Sequence, residues 1–351
     1  MEALVRLKVR PEAFPSGLPM PVWFRCLQLA RKLISLVGWK KYLTVVFLLL
    51  VLFPLGSPAL FSDFYVDLLT KIMIFGIALL GYDIMAGYTG LVSLGHAMFI
   101  GLGGYCAAYS IKALSTPNLF PMLLVGFLCA LGVGLVVGYF SIQTKGIFFV
   151  FLTLAFAQFF YLAAFNLTTI TGGDNGITLP RVTIGIPKVW EVVVSRPNGF
   201  YYLALGFLLL AYLWCHRIIS SPFGKLLMAI RENEERMSFL GFNVRVIKIR
   251  AFMTSAFLGV TAGVLYATYN EFVSPGMLHW TLSGDFIFMS VLGGMGTLVG
   301  PVLGGAVILY VGDLLSSLTE NWMIFIGTFF VLAILFAPQG ILGLILRERR
   351  R

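Results

Sequence analysis

A small set of polar side chains interrupts the long apolar runs of this sequence. Asp83 and His96 flank the stretch GYTGLVSLG (87–95), and Gln158 lies inside a separate apolar run. Because a polar or charged group is costly in hydrocarbon, each is a candidate for function. Asp83 and His96 suit either of two roles, fixing a short turn or contacting a transported solute. We expect Gln158 to bond a neighbouring helix, and we interpret three charges near span ends as rim residues: Lys71, Asp285 and Asp313.

The charge-rich segment 216–250 lies between two apolar runs and holds seven Lys/Arg and three acidic residues. Its centre predicts one helix, with Ser221 as N-cap, Pro222 in the first helical position and Gly241 at the end. Two i,i+4 ion pairs, Arg231–Glu235 and Glu232–Arg236, would lie on the polar side. Such a helix either contacts a partner protein or lies flat on the lipid interface, and the pattern alone leaves both open. The apolar face would consist of Phe223, Leu226, Leu227, Ile230, Met237 and Leu240.

Several catalytic chemistries find no support in the sequence. The motifs GxGxxG, GxSxG and HExxH do not occur, and Gly224–Lys225 lacks the other residues of a nucleotide-binding loop. The absence of paired carboxylates in mid-membrane argues against a proton-coupled pump. The four cysteines are scattered, so we expect neither a disulfide nor a metal site. We therefore expect no enzyme activity and no cofactor in this chain, and any ATP would be bound by a partner.

Composition identifies the class of protein. Hydrophobic residues make up 59% of the 351 residues and charged residues only 11%, whereas soluble domains carry about 25% charged residues. The sequence therefore predicts an all-α polytopic membrane protein. Its net charge of +10 is explained by Lys and Arg gathering on cytoplasmic loops, without a nucleic-acid partner.

A membrane-spanning helix needs about 20 apolar residues, and ten runs are candidates. The third and eighth are interrupted by glycine or short, so we expect some spans to be broken. The candidate spans are approximately 42–61, 66–86, 91–111, 119–140, 147–166, 200–215, 251–271, 283–295, 298–317 and 322–337.

The distribution of charged residues predicts how these spans are oriented in the membrane. With ten spans, the most basic segments and both termini fall on the cytoplasmic side, as the positive-inside rule requires. We divide the chain into a cytoplasmic N-terminal segment (1–41), a transmembrane domain (42–337) that contains the cytoplasmic loop 216–250, and a basic cytoplasmic tail (338–351). The longest outer connection, 167–199, should fold over the outer face.

Six motifs follow one another along the chain: GYTGLVSLGHAMFIGLGGY (87–105), KGIFFVFLTLAFAQ (145–158), TGGDNGI (171–177), SPFGKLLMAIRENE (221–234), VLGGMGTLVGPVLGG (291–305) and APQGI (337–341). In this order, over about residues 66–345, they resemble the LivM-type permease subunits of bacterial branched-chain amino acid ABC importers. The resemblance implies a multi-pass protein of the bacterial cytoplasmic (inner) membrane, surrounded by lipid. Its implied partners are a second homologous permease, two cytoplasmic ABC ATPases that bind ATP and Mg²⁺, and an extracytoplasmic substrate-binding protein.

The resemblance also gives the segment 216–250 a task, because ABC permeases dock such a helix in a groove of the ATPase. The permease pattern Glu-Ala-Ala-x-x-x-Gly is kept at Glu235 and Gly241, whereas Arg236 and Met237 replace the two alanines. The residues expected to couple the chain to the ATPase are Gly224, Ile230, Arg231, Glu232, Glu235 and Gly241.

The solute route is expected to follow the third span and its entry during alternating access. Breaks in the helices there would aim backbone dipoles at a substrate carboxylate. The route residues are Tyr88, Thr89, Ser93 and His96. Urea, amides or other amino acids are alternative cargoes of similar permeases, and a stand-alone secondary transporter or channel is the alternative of another class.

Overall fold

The computed structural model describes most of the chain beyond its N-terminal region. The expected N-terminal segment 1–41, most of the first candidate span and most of the tail 338–351 lie outside the described residues. The described residues are 50–51, 53–55, 63–186, 190–194, 196–336 and 340–342.

Long helices dominate the described residues, as the apolar runs predict. Among these residues the α-helices of six residues or more are α1 (Asp63–Tyr82), α2 (Ala97–Leu114), α3 (Leu119–Ile142), α4 (Ile147–Asn166), α5 (Asn198–Ser220), α6 (Pro222–Glu232), α7 (Glu234–Phe239), α8 (Val244–Asn270), α9 (Trp280–Gly293), α10 (Val299–Leu318) and α11 (Trp322–Phe336). Short 3₁₀ or α-helical turns occupy Phe53–Leu55, Thr168–Thr171, Gly173–Asn175 and Pro275–Leu278.

Seven helices in the described part of the chain are long and apolar enough to cross a membrane: α1 with its extension to Tyr88, α2, α3, α4, α5, α8 and α10. Each corresponds to one of the ten candidate spans. The candidates 283–295 and 322–337 are the shorter helices α9, of 14 residues, and α11, of 15 residues. At 1.5 Å per residue such helices reach only about 21–23 Å, less than the roughly 30 Å of a bilayer core.

The core of the bundle forms around α8, which is the most buried of these seven helices. Close packing against α2 depends on two glycines. A Cβ at Gly103 would overlap the carbonyl of Val260, and a Cβ at Gly263 would overlap the carbonyl of Ile100. The absence of side chains at both positions therefore lets the two backbones approach directly.

The region between α1 and α2 is not helical throughout. A π-helical turn (Asp83–Tyr88) extends α1, and residues 89–95 then run without regular structure before α2 begins at Ala97. The third candidate span, 91–111, therefore begins later than expected because its glycine-rich entry forms a loop. We call residues 83–96 the interrupted segment.

Successive helices place their connections at two ends of the bundle. The loop end carries α6, α7 and the interrupted segment, and the strand end carries the four short strands found among the described residues. There β1 (Ile177–Thr178) pairs antiparallel with β4 (Phe272–Val273), and β2 (Thr183–Ile186) pairs with β3 (Trp190–Val193). The long connection 167–199 is thus tied to the bundle by a strand pairing.

Candidate functional site

The charged segment at the loop end forms two helices, where the sequence predicted one. Helix α6 ends at Glu232 and α7 begins at Glu234, because Asn233 adopts an extended conformation (φ −159°, ψ 100°). The Asn233 side chain accepts a hydrogen bond from the Arg236 amide (2.8 Å), which makes it the N-cap of α7. The prediction of one continuous helix was wrong because asparagine is a strong N-cap. The acids that follow it, in the sequence ENEE, were the signal that could have revealed the break.

The two ends of this helix pair differ in how well the sequence predicted them. Gly241 ends α7 as expected, with φ +84°. Its amide bonds the Ser238 carbonyl (3.0 Å), and the Phe242 amide bonds the Met237 carbonyl (3.2 Å), which is the hydrogen-bond pattern of a Schellman motif. Ser221 occupies the N-cap position of α6, but its hydroxyl donates to the Ile218 carbonyl (2.5 Å) and does not cap the helix.

The apolar side chains of the pair divide into two groups. Those of α6 mostly face the bundle: Leu227 and Ile230 are buried, and a Cβ at Gly224 would overlap the carbonyl of Ile219 at the turn from α5. At the end of α7 the pattern reverses, because Phe239 is 90% exposed and Leu240 is 66% exposed. Leu240 was expected on the buried face. We call the exposed side chains of Phe239, Leu240 and Phe242 the apolar tip.

The predicted ion pairs Arg231–Glu235 and Glu232–Arg236 do not form among the described residues. The break at Asn233 removes the i,i+4 register on which both pairs depended. The acid that pairs is Glu234, whose Oε2 lies 2.6 Å from Nζ of Lys248, a residue whose side chain is only 5% exposed.

Arg231 reaches from α6 into the interrupted segment, a contact the sequence did not predict. Its guanidinium donates a hydrogen bond to the carbonyl of Gly87. Two glycines make room for the side chain, since a Cβ at Gly90 would lie 3.2 Å from its Cγ and one at Gly296 would lie 3.1 Å from Nη1. Residues 144 positions apart in the sequence are thereby joined.

Asp83 adopts the turn-fixing role of the two that the sequence left open. Its carboxylate oxygens accept hydrogen bonds from the amides of Gly296 (2.7 Å) and Leu298 (2.9 Å), at the turn that leads into α10. A Cβ at Gly87 would overlap both this carboxylate and the Gly296 amide. A charged acceptor on two backbone amides is a strong arrangement in a buried site. Arg231, Gly87, Asp83 and Gly296 thus form one connected group, which we call the loop-end clamp.

The four expected route residues all lie in the interrupted segment, but three of them are buried within this chain: Thr89 is 3% exposed, Ser93 1% and His96 0%. Thr89 donates to the Ile84 carbonyl (2.9 Å), and the Ser93 Oγ accepts from the Gly95 amide (3.0 Å). His96 Nε2 lies 2.7 Å from the hydroxyl of Ser255 on α8. Tyr88 is half-buried. The structure therefore brings the four residues together and ties three of them into the core.

The expected interhelix bond of Gln158 is absent from the described residues, since its buried Oε1 has no hydrogen-bond partner there. Its helix, α4, is one of the least buried of the seven long helices. Within the same residues, no group of three His, Cys, Asp or Glu is placed to hold a metal ion.

Comparisons with known proteins agree with the motifs. Residues 64–334 match the family described as "Branched-chain amino acid transport system / permease component". The chain is 29% identical to the high-affinity branched-chain amino acid transport system permease protein LivM of Escherichia coli K12, over 88% of this chain and 76% of that protein. It is 28% identical to LivM of Salmonella typhimurium, over 84% and 73%. It is also 23% identical to the permease protein LivH of Escherichia coli K12, over 75% and 89%.

No solved structure matches the chain significantly. The family match covers most of the chain, including α1 to α10 and both halves of the loop-end clamp. The protein therefore belongs to the family of permease components of branched-chain amino acid transport systems.

Proposed function

We propose that this chain is the permease subunit of an ATP-driven importer of branched-chain amino acids in the bacterial cytoplasmic membrane. The contact between Arg231 and the Gly87 carbonyl carries the proposal, because it links a charged segment outside the membrane-spanning helices to the broken backbone between them. A stand-alone transporter does not need an exposed helix that is joined in this way to its interior.

The proposed assembly contains a second related permease, two ABC ATPases that bind ATP and Mg²⁺, and an extracytoplasmic substrate-binding protein. Similarity to both LivM and LivH supports a pair of related permeases. In this arrangement the loop end is cytoplasmic and the strand end faces outward. The ten proposed spans include the short helices α9 and α11, and both termini would lie inside. The basic character of residues 1–41, 216–250 and 338–351 supports that direction.

The coupling site is proposed on α6 and α7. The exposed apolar tip and the exposed acids Glu232 of α6 and Glu235 of α7 offer a groove on the ATPase both apolar contact and charge. Gly224, Ile230 and Gly241 hold the two helices in place, through the turn from α5, the buried face and the Schellman motif. Arg231 would carry movement of α6 to Gly87, and Asp83 would carry it on to the start of α10.

The substrate route is proposed along the interrupted segment at Tyr88, Thr89, Ser93 and His96. Three of these side chains are bonded inside the chain, so movement of the loop-end clamp would be needed to open this part of the route. That requirement fits a route controlled by the ATPases, since alternating access keeps one side closed.

Reconstitution tests the proposal. The chain is placed in liposomes with its partner permease and ATPases, and uptake of labelled leucine is measured with binding protein outside and ATP inside. We expect leucine to accumulate only when the ATPases are present. Uptake of leucine by the chain alone would identify a stand-alone transporter, and ATP-driven uptake of urea without leucine would correct the cargo.

A further inference from the structure

A cleft of about 440 Å³ opens at the strand end, between α1, α8 and α9. Its rim is formed by β4 and the turn Pro275–Leu278, and its walls by the end of α8 and the first two turns of α9. The cleft lies at the opposite end of the bundle from the loop-end clamp. None of the site residues described above lines it.

The walls of the cleft combine one carboxylate with neutral polar and apolar side chains. Asp285 of α9 supplies the carboxylate, and Asn270 and Thr281 supply neutral hydrogen-bonding groups. Phe272 and Met277 supply apolar surface. Among the described residues no Lys or Arg lines the cleft, so the Asp285 carboxylate is the charged group of this lining.

Asp285 differs from three acids that are bonded within the bundle. Asp83 accepts hydrogen bonds from two backbone amides, and Asp67 accepts one from the Tyr269 hydroxyl (2.7 Å). Glu234 forms an ion pair with Lys248. No hydrogen bond or ion pair to the Asp285 side chain occurs among the described residues. The Asp285 side chain is exposed in the cleft, so its carboxylate is accessible to a ligand that supplies the opposite charge.

The floor of the cleft is aromatic. Phe75 contacts Tyr266 with ring centroids 5.2 Å apart and contacts Phe286 at 6.0 Å. Phe286 in turn neighbours Tyr82 (6.3 Å), and Tyr82 neighbours His96 of the interrupted segment (5.3 Å). A continuous aromatic series therefore separates the cleft from the proposed inner part of the route and closes it in this conformation.

We propose that this cleft is the outward-facing entry site for the solute and that Asp285 binds the α-ammonium group of a zwitterionic amino acid. The apolar side chain of the amino acid packs against Phe272 and Met277, and Asn270 and Thr281 offer hydrogen bonds to its polar atoms. The inference rests on the proposed function and deepens it, because it assigns recognition of the cargo's amine to one residue. It also gives Asp285 a role other than that of a rim residue.

Uptake kinetics in the reconstituted importer test the role of the charge. We expect Asp285→Asn to raise the KM for leucine about tenfold, since a charge-assisted contact is lost, and Asp285→Glu to restore most of it. Asp313→Asn on α10 is the matched control, because Asp313 does not line the cleft, and it should leave KM unchanged. An unchanged KM in Asp285→Asn overturns the inference, whereas failure of the wild-type importer to take up leucine overturns the proposed function.

A labelling experiment keeps the test independent of how the Asp285 variants assemble. Thr281→Cys in the otherwise unchanged importer is treated from outside with a membrane-impermeant thiol reagent, without binding protein. Leucine should slow labelling, and its 2-oxo acid, which lacks the amine, should not. Equal protection by both solutes, or by neither, contradicts the assignment of Asp285 as the ammonium site.

Discussion

The two helices between α5 and α8, which are α6 and α7, have opposite surroundings. Helix α6 turns most of its apolar side chains toward its own chain, and its Arg231 reaches into the interrupted segment. Helix α7 ends in an apolar tip that is largely exposed. An exposed group of aromatic and aliphatic side chains at the end of a well-terminated helix indicates a protein contact. The difference supports the proposal that α6 acts on this chain and that α7 contacts a partner.

Loss of the bend at Gly241 should have the largest effect on this arrangement. Proline fixes φ near −65° and has no amide hydrogen, whereas Gly241 has φ +84° and bonds Ser238. We expect Gly241→Pro to abolish ATP-driven uptake while the protein still inserts in the membrane. Gly241→Asn is the control, because asparagine tolerates this conformation, and it should retain most uptake; wild-type uptake by the proline variant would exclude a docking role for α7.

Removal of the Arg231 side chain should separate ATP hydrolysis from transport. Arg231→Ala leaves the Gly87 carbonyl without its charged donor, a loss that we expect to lower leucine uptake roughly tenfold. Hydrolysis by the assembled ATPases should continue. Arg236→Ala, in the exposed α7, is the comparison variant and should retain most of the uptake per ATP hydrolysed. Equal uptake per ATP in Arg231→Ala and the wild type would remove Arg231 from the coupling path.

A charge placed in the apolar tip should weaken ATPase binding without affecting the fold. Phe239 is 90% exposed, so Phe239→Asp removes little buried surface from this chain. We expect the variant to bind the ATPases about tenfold more weakly, measured by co-purification at graded ATPase concentrations. Val193→Asp introduces the same charge at an exposed position of the strand end and should bind them normally; equal loss in both would indicate a general effect of charge.

The smallest effect is expected at the ion pair that joins α7 to α8. Glu234→Gln leaves the buried ammonium of Lys248 without its carboxylate, which should cost about 1–3 kcal/mol and lower the thermal unfolding temperature by a few degrees. Glu235 is exposed and has no ion pair among the described residues, so Glu235→Gln should not change that temperature. If Glu235→Gln is the more destabilising variant, the pairing at Glu234 is not the one that matters.

Hydrophobic length predicted the long helices well, because apolar runs of about 20 residues carry that signal locally. Gly241 was also predictable, since helix ends have strong residue preferences. The sequence signal for the break at Asn233 was a second N-cap residue. It lies inside a stretch whose spacing of apolar residues also predicts one continuous amphipathic helix. Local residue preferences therefore predicted the helices more reliably than the breaks between them.

The sequence could not predict the loop-end clamp or the hydrogen-bond partners of the carboxylates. Arg231 and Gly87 meet across 144 residues, and the local pattern around Arg231 favoured an ion pair with Glu235. Asp83 and Asp285 both stood out as polar residues near apolar runs, but only the tertiary packing gives Asp83 two amide donors and leaves Asp285 facing a cleft. The hydrogen-bond partners of a carboxylate depend on tertiary packing. The different roles proposed for Asp83 and Asp285 rest on those partners and could not be read from the sequence.

Cross-linking from the apolar tip can determine whether α7 docks on an ATPase subunit. A single cysteine introduced by Phe239→Cys in the assembled importer is treated with a short photoactivatable cross-linker, with Val193→Cys at the strand end as the matched position. We expect the cysteine of Phe239→Cys to link to an ATPase subunit and that of Val193→Cys not to do so. Linkage of position 239 to the substrate-binding protein, or linkage of position 193 to an ATPase, would contradict this expectation.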